Sequence, residues 1–209
     1  MKVIIFGATG KVGRQLTAQA LSEGHDVTAF VRKQSGDLGE DPKLRHHLGD
    51  VLNPADVAAA IKDHDAVFVA LGKPLRNKDR LRTRGTANII AAMQQHGPRR
   101  LVCLSGYGAG ESYAKLPRFY RWVIMPLVLN HVYADHEEQE KLVRASGLDW
   151  TLVRPSNLFD GPRTDSYRID FDKVEKGMKF KISFKDVAHF MLGQLITRSH
   201  LKAATAISS

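Results

Sequence analysis

Met1-Lys-Val-Ile-Ile-Phe-Gly7-Ala-Thr-Gly10-Lys-Val-Gly13 opens the chain, and the reading of this stretch decides the fold. Residues 2–6 form an apolar run of strand length, the glycines follow at once, and a helical pattern begins at Val12. Gly7 permits a tight turn at the strand end. Gly10 lets a backbone approach a pyrophosphate with no Cβ in the way, and Gly13 lets the helix pack on the strand. The first-turn N–H groups and the positive end of the helix dipole then face two phosphates. The spacing is G-x-x-G-x-x-G rather than G-x-G-x-x-G, and a glycine triplet alone is weak. Its place between an apolar strand and a helix favours a dinucleotide-phosphate site over a glycine turn of some other α/β protein.

Outward from this unit, apolar strands at 2–6, 26–31, 44–48, 66–70, 100–105 and 149–153 alternate with helical patterns at 12–22, 54–62, 82–95 and 134–145. Two short strands are read at 167–171 and 178–182 around Gly177, and Ser183 caps a last helix over 184–196. Parallel strands need helical crossovers of one hand, so the expectation is an α/β fold. Its sheet is doubly wound and mostly parallel, with the ligand at the strands' carboxyl ends. No Pro/Gly/Ser-rich linker divides the 209 residues. We therefore expect one domain, 1–209, with a small C-terminal substrate lobe and substrate-side elements at about 106–130 and 155–183.

A formal charge of +9 and a pI near 9.7 favour anionic partners without choosing among nucleic acid, a phosphorylated cofactor and an acidic substrate. The cations, Arg76, Lys78 and Arg84 among them, are spread along the chain. No helix-turn-helix, zinc or RNP signature accompanies them, so specific nucleic-acid binding is disfavoured. No apolar run reaches the roughly 18 residues of a membrane span, and no cleavage site follows the first strand. A soluble, cytoplasmic protein with no membrane partner is expected. The single cysteine, Cys103, lies in the apolar run Leu101-Val-Cys-Leu104 and reads as core.

The end of the second strand selects the dinucleotide. An Asp or Glu there accepts from the ribose 2′-hydroxyl of NAD, whereas a cation accommodates the 2′-phosphate of NADP. The segment Thr28-Ala-Phe-Val-Arg32-Lys33-Gln34-Ser35 has no acid. Arg32 offers a planar fork for phosphate and Lys33 a point charge; the alternative is that both are solvated loop cations. Asp50, after the third strand, is placed to accept from the adenine amino group. Leu71 and Gly72 lie on the path toward the nicotinamide ribose.

Gly7-Ala-Thr-Gly10, Gly49-Asp50, Ala70-Leu-Gly72, Asn88-Ile-Ile-Ala-Ala-Met93, Leu142-Val-Arg-Ala-Ser-Gly-Leu148 and Val153-Arg-Pro155 resemble the atypical short-chain dehydrogenase/reductases. Within these the chain is most similar to the biliverdin-IXβ reductase/flavin reductase (NAD(P)H-binding, NmrA-like) family. The likeness runs from Lys2 to the last helix. It implies NADPH as cofactor, with contacts from Gly7, Thr9, Gly10, Lys11, Val12, Arg32, Lys33, Asp50, Leu71 and Gly72, beside the packing glycine Gly13. Ser105 matches the family's active-site serine region.

One departure bears on chemistry. Carbonyl reductases of the wider superfamily use Tyr-x-x-x-Lys, whose lysine lowers the tyrosine pKa. Counting back from Ser146-Gly147, the two positions hold Val132 and His136, and the residues four after Tyr107, Tyr113, Tyr120 and Tyr133 are Glu, Pro, Ile and Glu. That argues against ordinary ketone reduction. A flavin, quinone or bilin-like tetrapyrrole spreads the incoming charge and takes protons from water, so orientation carries most of the rate. Candidate catalytic groups are Ser105, as a hydroxyl toward nicotinamide or substrate, and His136, as a proton donor or merely a polar helix residue. No metal-ligand spacing appears.

The stretch Tyr113-Ala-Lys-Leu-Pro-Arg-Phe-Tyr-Arg-Trp-Val-Ile-Met-Pro-Leu-Val-Leu129 is the most individual part of the chain. On a helix Arg118 and Arg121 share a face and Phe119 and Trp122 a neighbouring one, suiting a planar ligand with an anionic tail. A lid or dimer helix with packed aromatics is the alternative. Tyr107 and, from the opposite rim, Phe159 complete the expected substrate contacts, with Arg163 a weaker candidate. The expectation is an NADPH-dependent reductase of a small planar acceptor, a monomer or weak homodimer. The alternative is a non-catalytic NADP(H)-binding redox sensor that regulates a protein partner.

Overall fold

The computed structural model describes residues 1–33, 36–72, 79–171 and 177–209. Gln34, Ser35, Arg76, Lys78 and residues 172–176 of the expected substrate lobe lie outside the described residues.

Residues Val3 to Phe6 of β1 (Lys2–Phe6) are fully buried, and successive side chains alternate between two apolar layers. Val3 and Ile5 meet α1 (Lys11–Ser22) and α5 (Phe184–Gly193) on one side. Ile4 and Phe6 meet α2 (Pro54–Ile61), α3 (Leu81–His96) and α4 (Asn130–Ala145) on the other. A strand covered on both faces reads as a continuous apolar run, which is why β1 was legible.

The sheet has eight strands in the order β3-β2-β1-β4-β5-β6-β10-β8. Here β2 is Asp26–Val31, β3 Leu44–Leu48, β4 Ala66–Val69, β5 Arg100–Leu104 and β6 Asp149–Pro155. β8 is Arg168–Ile169 and β10 Ala203–Ser208. All neighbours are parallel except β10 and β8. The order reverses between β1 and β4, whose ends are in register at Phe6 and Val69. A crevice opens at that switch point.

The sequence expectation is corrected at three places. β10 was not foreseen, since Ala-Ala-Thr-Ala-Ile-Ser is poor in strand formers; its pairing with β6 from Thr151 to Pro155 decides it. The strand expected at 178–182 is β9, Lys181–Ser183, which pairs with an unforeseen β7, Asn157–Phe159, in a separate two-stranded sheet. The helix expected from Ala134 begins earlier. It runs on from a π-helix, Tyr120–Leu129, preceded by a 3₁₀ segment, Gly110–Lys115. β7, β9 and a third apolar cluster of Tyr107, Leu116, Met125, Phe171, Phe180 and Ala206 build a small lobe beyond β5 and β6.

Candidate functional site: a dinucleotide groove at the switch point

Gly7 has φ +87°, and a Cβ there would collide with the Ala70 carbonyl, so the β1–α1 turn lies tight against the end of β4. Its carbonyl accepts from the Gly10 N–H at 3.0 Å. A Cβ on Gly13 would collide with the same carbonyl, which fixes how closely α1 sits on the strand. Gly10 is the N-cap of α1; no side chain caps it and the first turn carries no acid. By contrast α2 is capped by Asn53 and α5 by Ser183, each with an Asp in its first turn. The amides of α1 are thus left for an external anion at the groove.

A groove of about 290 Å³ runs from this turn across the strand ends. It gathers Gly7, Thr9, Gly10, Arg32, Asp50, Leu71 and Gly72, seven of the expected cofactor residues. Asp50 is held by its own turn, its carboxylate accepting from the Leu52 N–H at 2.9 Å while its N–H donates to Asp56 at 2.8 Å. The wall also includes Phe30, Val31, Val51, Leu52, Ala70, Asp79 and Leu81. The sequence reading had not named these as contacts. Phe30 is stacked on His47 at 5.6 Å, and Gly49 is a glycine because a Cβ would press on the Phe30 ring at 2.8 Å.

Four expected cofactor residues do not line the groove with their side chains. Val12 is buried in the core, Gly13 only packs, and the Lys11 ammonium lies 5.2 Å over the Phe184 ring. Lys33 is exposed beyond the groove wall. A cation that the sequence reading did not single out lies nearby. Arg14 donates to the Thr9 carbonyl at 2.8 Å and pairs with Asp37 at 3.6 Å, spanning the glycine turn and the loop after β2.

The expected catalytic pair is differently employed. Ser105, 4% exposed at the end of β5, donates to Glu140 at 2.6 Å, so its proton is directed into the protein. Glu140 accepts from Arg154 Nε at 2.8 Å as well as from its Nη2, and Arg154 holds Glu111 through both terminal nitrogens at 2.8 and 3.0 Å. The Arg154 guanidinium keeps the Glu111 carboxyl down at about 2. Gly110, at φ +55°, leaves room for that guanidinium, which a Cβ would approach to 2.7 Å. This network ties the segment after β5 to α4 and β6.

His136 is buried on α4, and burial, with Arg82 nearby, pushes its pKa down to about 3. That direction disfavours a cationic acid and favours the alternative reading of a polar helix residue. The tyrosine reaching the end of β5 is Tyr133 rather than the residue at Val132, which is buried. A Cβ on Gly106 would lie 3.4 Å from the Tyr133 hydroxyl. That hydroxyl donates to the Tyr107 carbonyl at 2.8 Å, and burial pushes its pKa up to about 12. The residue four further on is Glu137, so no lysine counters that rise.

Asp135, also on α4, does the capping that α3 lacks. It accepts from the N–H groups of Arg82 and Thr83 at 3.2 and 3.0 Å and from the Thr83 hydroxyl at 2.7 Å.

The expected substrate contacts fall outside the groove. Tyr107 is buried in the small lobe, stacked on Phe171 at 4.9 Å with its edge contact to Phe180 at 5.5 Å. Phe159 lies under the Lys181 ammonium at 4.8 Å. Arg118 and Arg121 do not form the expected clamp, because the π-helix begins between them. Arg121 folds back to the Ala114 carbonyl at 3.1 Å and lies over Trp122, while Arg118 is exposed. Phe119 and Trp122 are exposed, and Tyr120 packs inward on Phe180. Cys103 is fully buried, and burial pushes its thiol up, as a core reading requires.

Residues 7–198 match the family described as NAD(P)H-binding. Uncharacterized protein YwnB of Bacillus subtilis (strain 168) is 30% identical over 207 residues, covering 96% of this chain and 94% of that protein. A chloroplastic uncharacterized protein of Arabidopsis thaliana, At2g34460, is 30% identical over 175 residues. The match takes in 78% of this chain and 61% of that protein, so the chain spans under two thirds of it. Among solved structures, a proposed NADH-flavin reductase of Streptococcus pneumoniae TIGR4 superposes with a TM-score of 0.79 at 22% identity, covering 100% of this chain and 99% of that one; it shares the fold. Family match, switch-point groove and uncapped α1 agree, and the chain belongs to the NAD(P)H-binding family of Rossmann-fold proteins.

Proposed function

We propose that the chain is an NADPH-dependent reductase of a planar conjugated acceptor, most readily a flavin, then a quinone or bilin-like tetrapyrrole. The observation that carries this is the groove itself. It holds a glycine cradle, an uncapped helix amide end and, at the tip of β2, Arg32 in place of an acid. Arg32, in the groove wall, supplies charge for a 2′-phosphate, and Arg14 extends it across the turn. A bound NADPH supplies hydride from its nicotinamide; the acceptor gains two electrons and takes its remaining proton from water. The protein's part is to hold the dinucleotide and seat the acceptor beside it.

Sequence spacing supports such an acceptor over a ketone: the residue four after Tyr133 is Glu137, not a lysine. Tyr133 spends its proton on the Tyr107 carbonyl and its pKa is raised. The flavin-reductase description of a structural neighbour points the same way. The engagement of Ser105 by Glu140 favours the second reading, a redox sensor that binds NADP(H) and passes its state to a protein partner without turnover.

Calorimetric titration with NADPH and NADH tests the cofactor assignment. NADPH should bind at least about tenfold more tightly, Arg32→Ala should remove most of the difference, and equal affinities would refute it. Loss of NADPH absorbance against a panel of flavins, quinones and tetrapyrroles then separates enzyme from sensor, since a sensor oxidises NADPH with none of them.

A further inference from the structure

The helical segment from Phe119 through the π-helix concentrates exposed large apolar side chains of the described residues. Phe119 is 63% exposed, Trp122 70% and Leu127 78%, with Val123 beside them. Phe119, just before the π-helix, and Trp122, Val123 and Leu127 within it are exposed, while Tyr120, Met125 and Leu129 join the small-lobe cluster. The sequence from Ser112 to Ala134 contains no acid but carries Lys115, Arg118, Arg121 and His131.

We infer that this face docks on an anionic phospholipid bilayer. Aromatic and leucine side chains standing out beside cations are what an interfacial helix presents, the rings entering the headgroup region and the cations meeting lipid phosphates. Charge decides against a second copy. The stretch carries cations and no acid, so a two-fold contact of this face with itself would set like charge against like. The net charge of +9 adds attraction to the same surface. The expectation of no membrane partner rested on the lack of a span, and no helix among the described residues is long and apolar enough to be one. Surface docking needs none. The face lies on the chain that leaves the carboxyl end of β5, but the inference does not rest on the reductase reading.

Cosedimentation with vesicles tests it. The protein should bind vesicles of equal phosphatidylglycerol and phosphatidylcholine at least about tenfold better than pure phosphatidylcholine, and raised salt should abolish the gain. Trp122 emission should shift to the blue on binding, and Trp122→Phe should lose that shift. Phe119→Ser with Trp122→Ser and Leu127→Ser, all at exposed positions, should cut binding about tenfold or more, and Arg118→Glu should weaken it severalfold. No binding to the anionic vesicles, or binding untouched by the triple serine variant, would overturn the inference. So would a dimer in sedimentation velocity that the triple variant dissociates, which would assign the face to a second copy.

Discussion

Arg154→Met is the sharpest test of how the region after β5 is held. The substitution keeps much of the side-chain volume and removes the bonds to Glu140 and Glu111. Glu140, 3% exposed, keeps Ser105 at 2.6 Å and, more distantly, Arg144 at 3.7 Å. Stripping one partner from a buried pair costs about 3–5 kcal/mol. Glu111 adds little. Its shift from 4.5 to about 2 would correspond to roughly 3 kcal/mol if fully realised, but its side chain is 62% exposed and solvent screening leaves about 1 kcal/mol. At roughly 2–4 °C per kcal/mol for a chain of this size, the Tm should fall by about 10 °C or more. Urea unfolding followed by circular dichroism at neutral pH reads the free energy directly.

The pH dependence has a definite sign. A carboxyl whose folded pKa is depressed contributes stability above its unfolded value and loses it as pH falls toward the folded one, here from about 4.5 to about 2. The gap between wild type and variant should therefore narrow across that window. Arg154→Met combined with Glu140→Met should recover most of the loss, because a volume-matched apolar replacement leaves no buried charge. A loss below about 1 kcal/mol for the single variant, or a double variant no better than it, would refute the reasoning.

Three further outcomes follow from the same geometry. Asp135→Ala uncaps α3 and leaves the Arg82 cation buried without its carboxylate 3.5 Å away, so denaturant unfolding should show a loss of about 3–5 kcal/mol. His136, with a folded pKa lowered from 6.5 to about 3, makes the unfolded chain the better proton binder between those values. Stability should fall as pH drops through that window, and His136→Leu should flatten the acid side of a Tm-versus-pH profile. Gly13→Ala puts a methyl group into the Gly7 carbonyl; thermal unfolding should show a loss of about 1–3 kcal/mol, and a dinucleotide titration should show weakened binding, because the amide end of α1 moves off the phosphates.

The sequence by itself determined the Rossmann core and the groove's floor. Buried parallel strands must be apolar throughout, and a chain turning from strand to helix against a neighbouring carbonyl must use glycine, so 2–13, 26–31 and 100–104 carry their geometry in their residue types. Arg32 and Asp50 were legible because they follow strand ends. Tertiary structure alone decided what lies across the sequence. β10 is a strand through its pairing with β6, not its composition. Ser105 is tied up because Glu140 reaches it from thirty-five residues away, and packing around α4 buries His136 and pushes its pKa down. The π-helix that begins at Tyr120 separates Arg118 from Arg121, which α-helical spacing had put on one face. Local rules fix where a chain turns and which face is apolar; which polar groups meet, and at what burial, is set by contacts that no window of sequence contains.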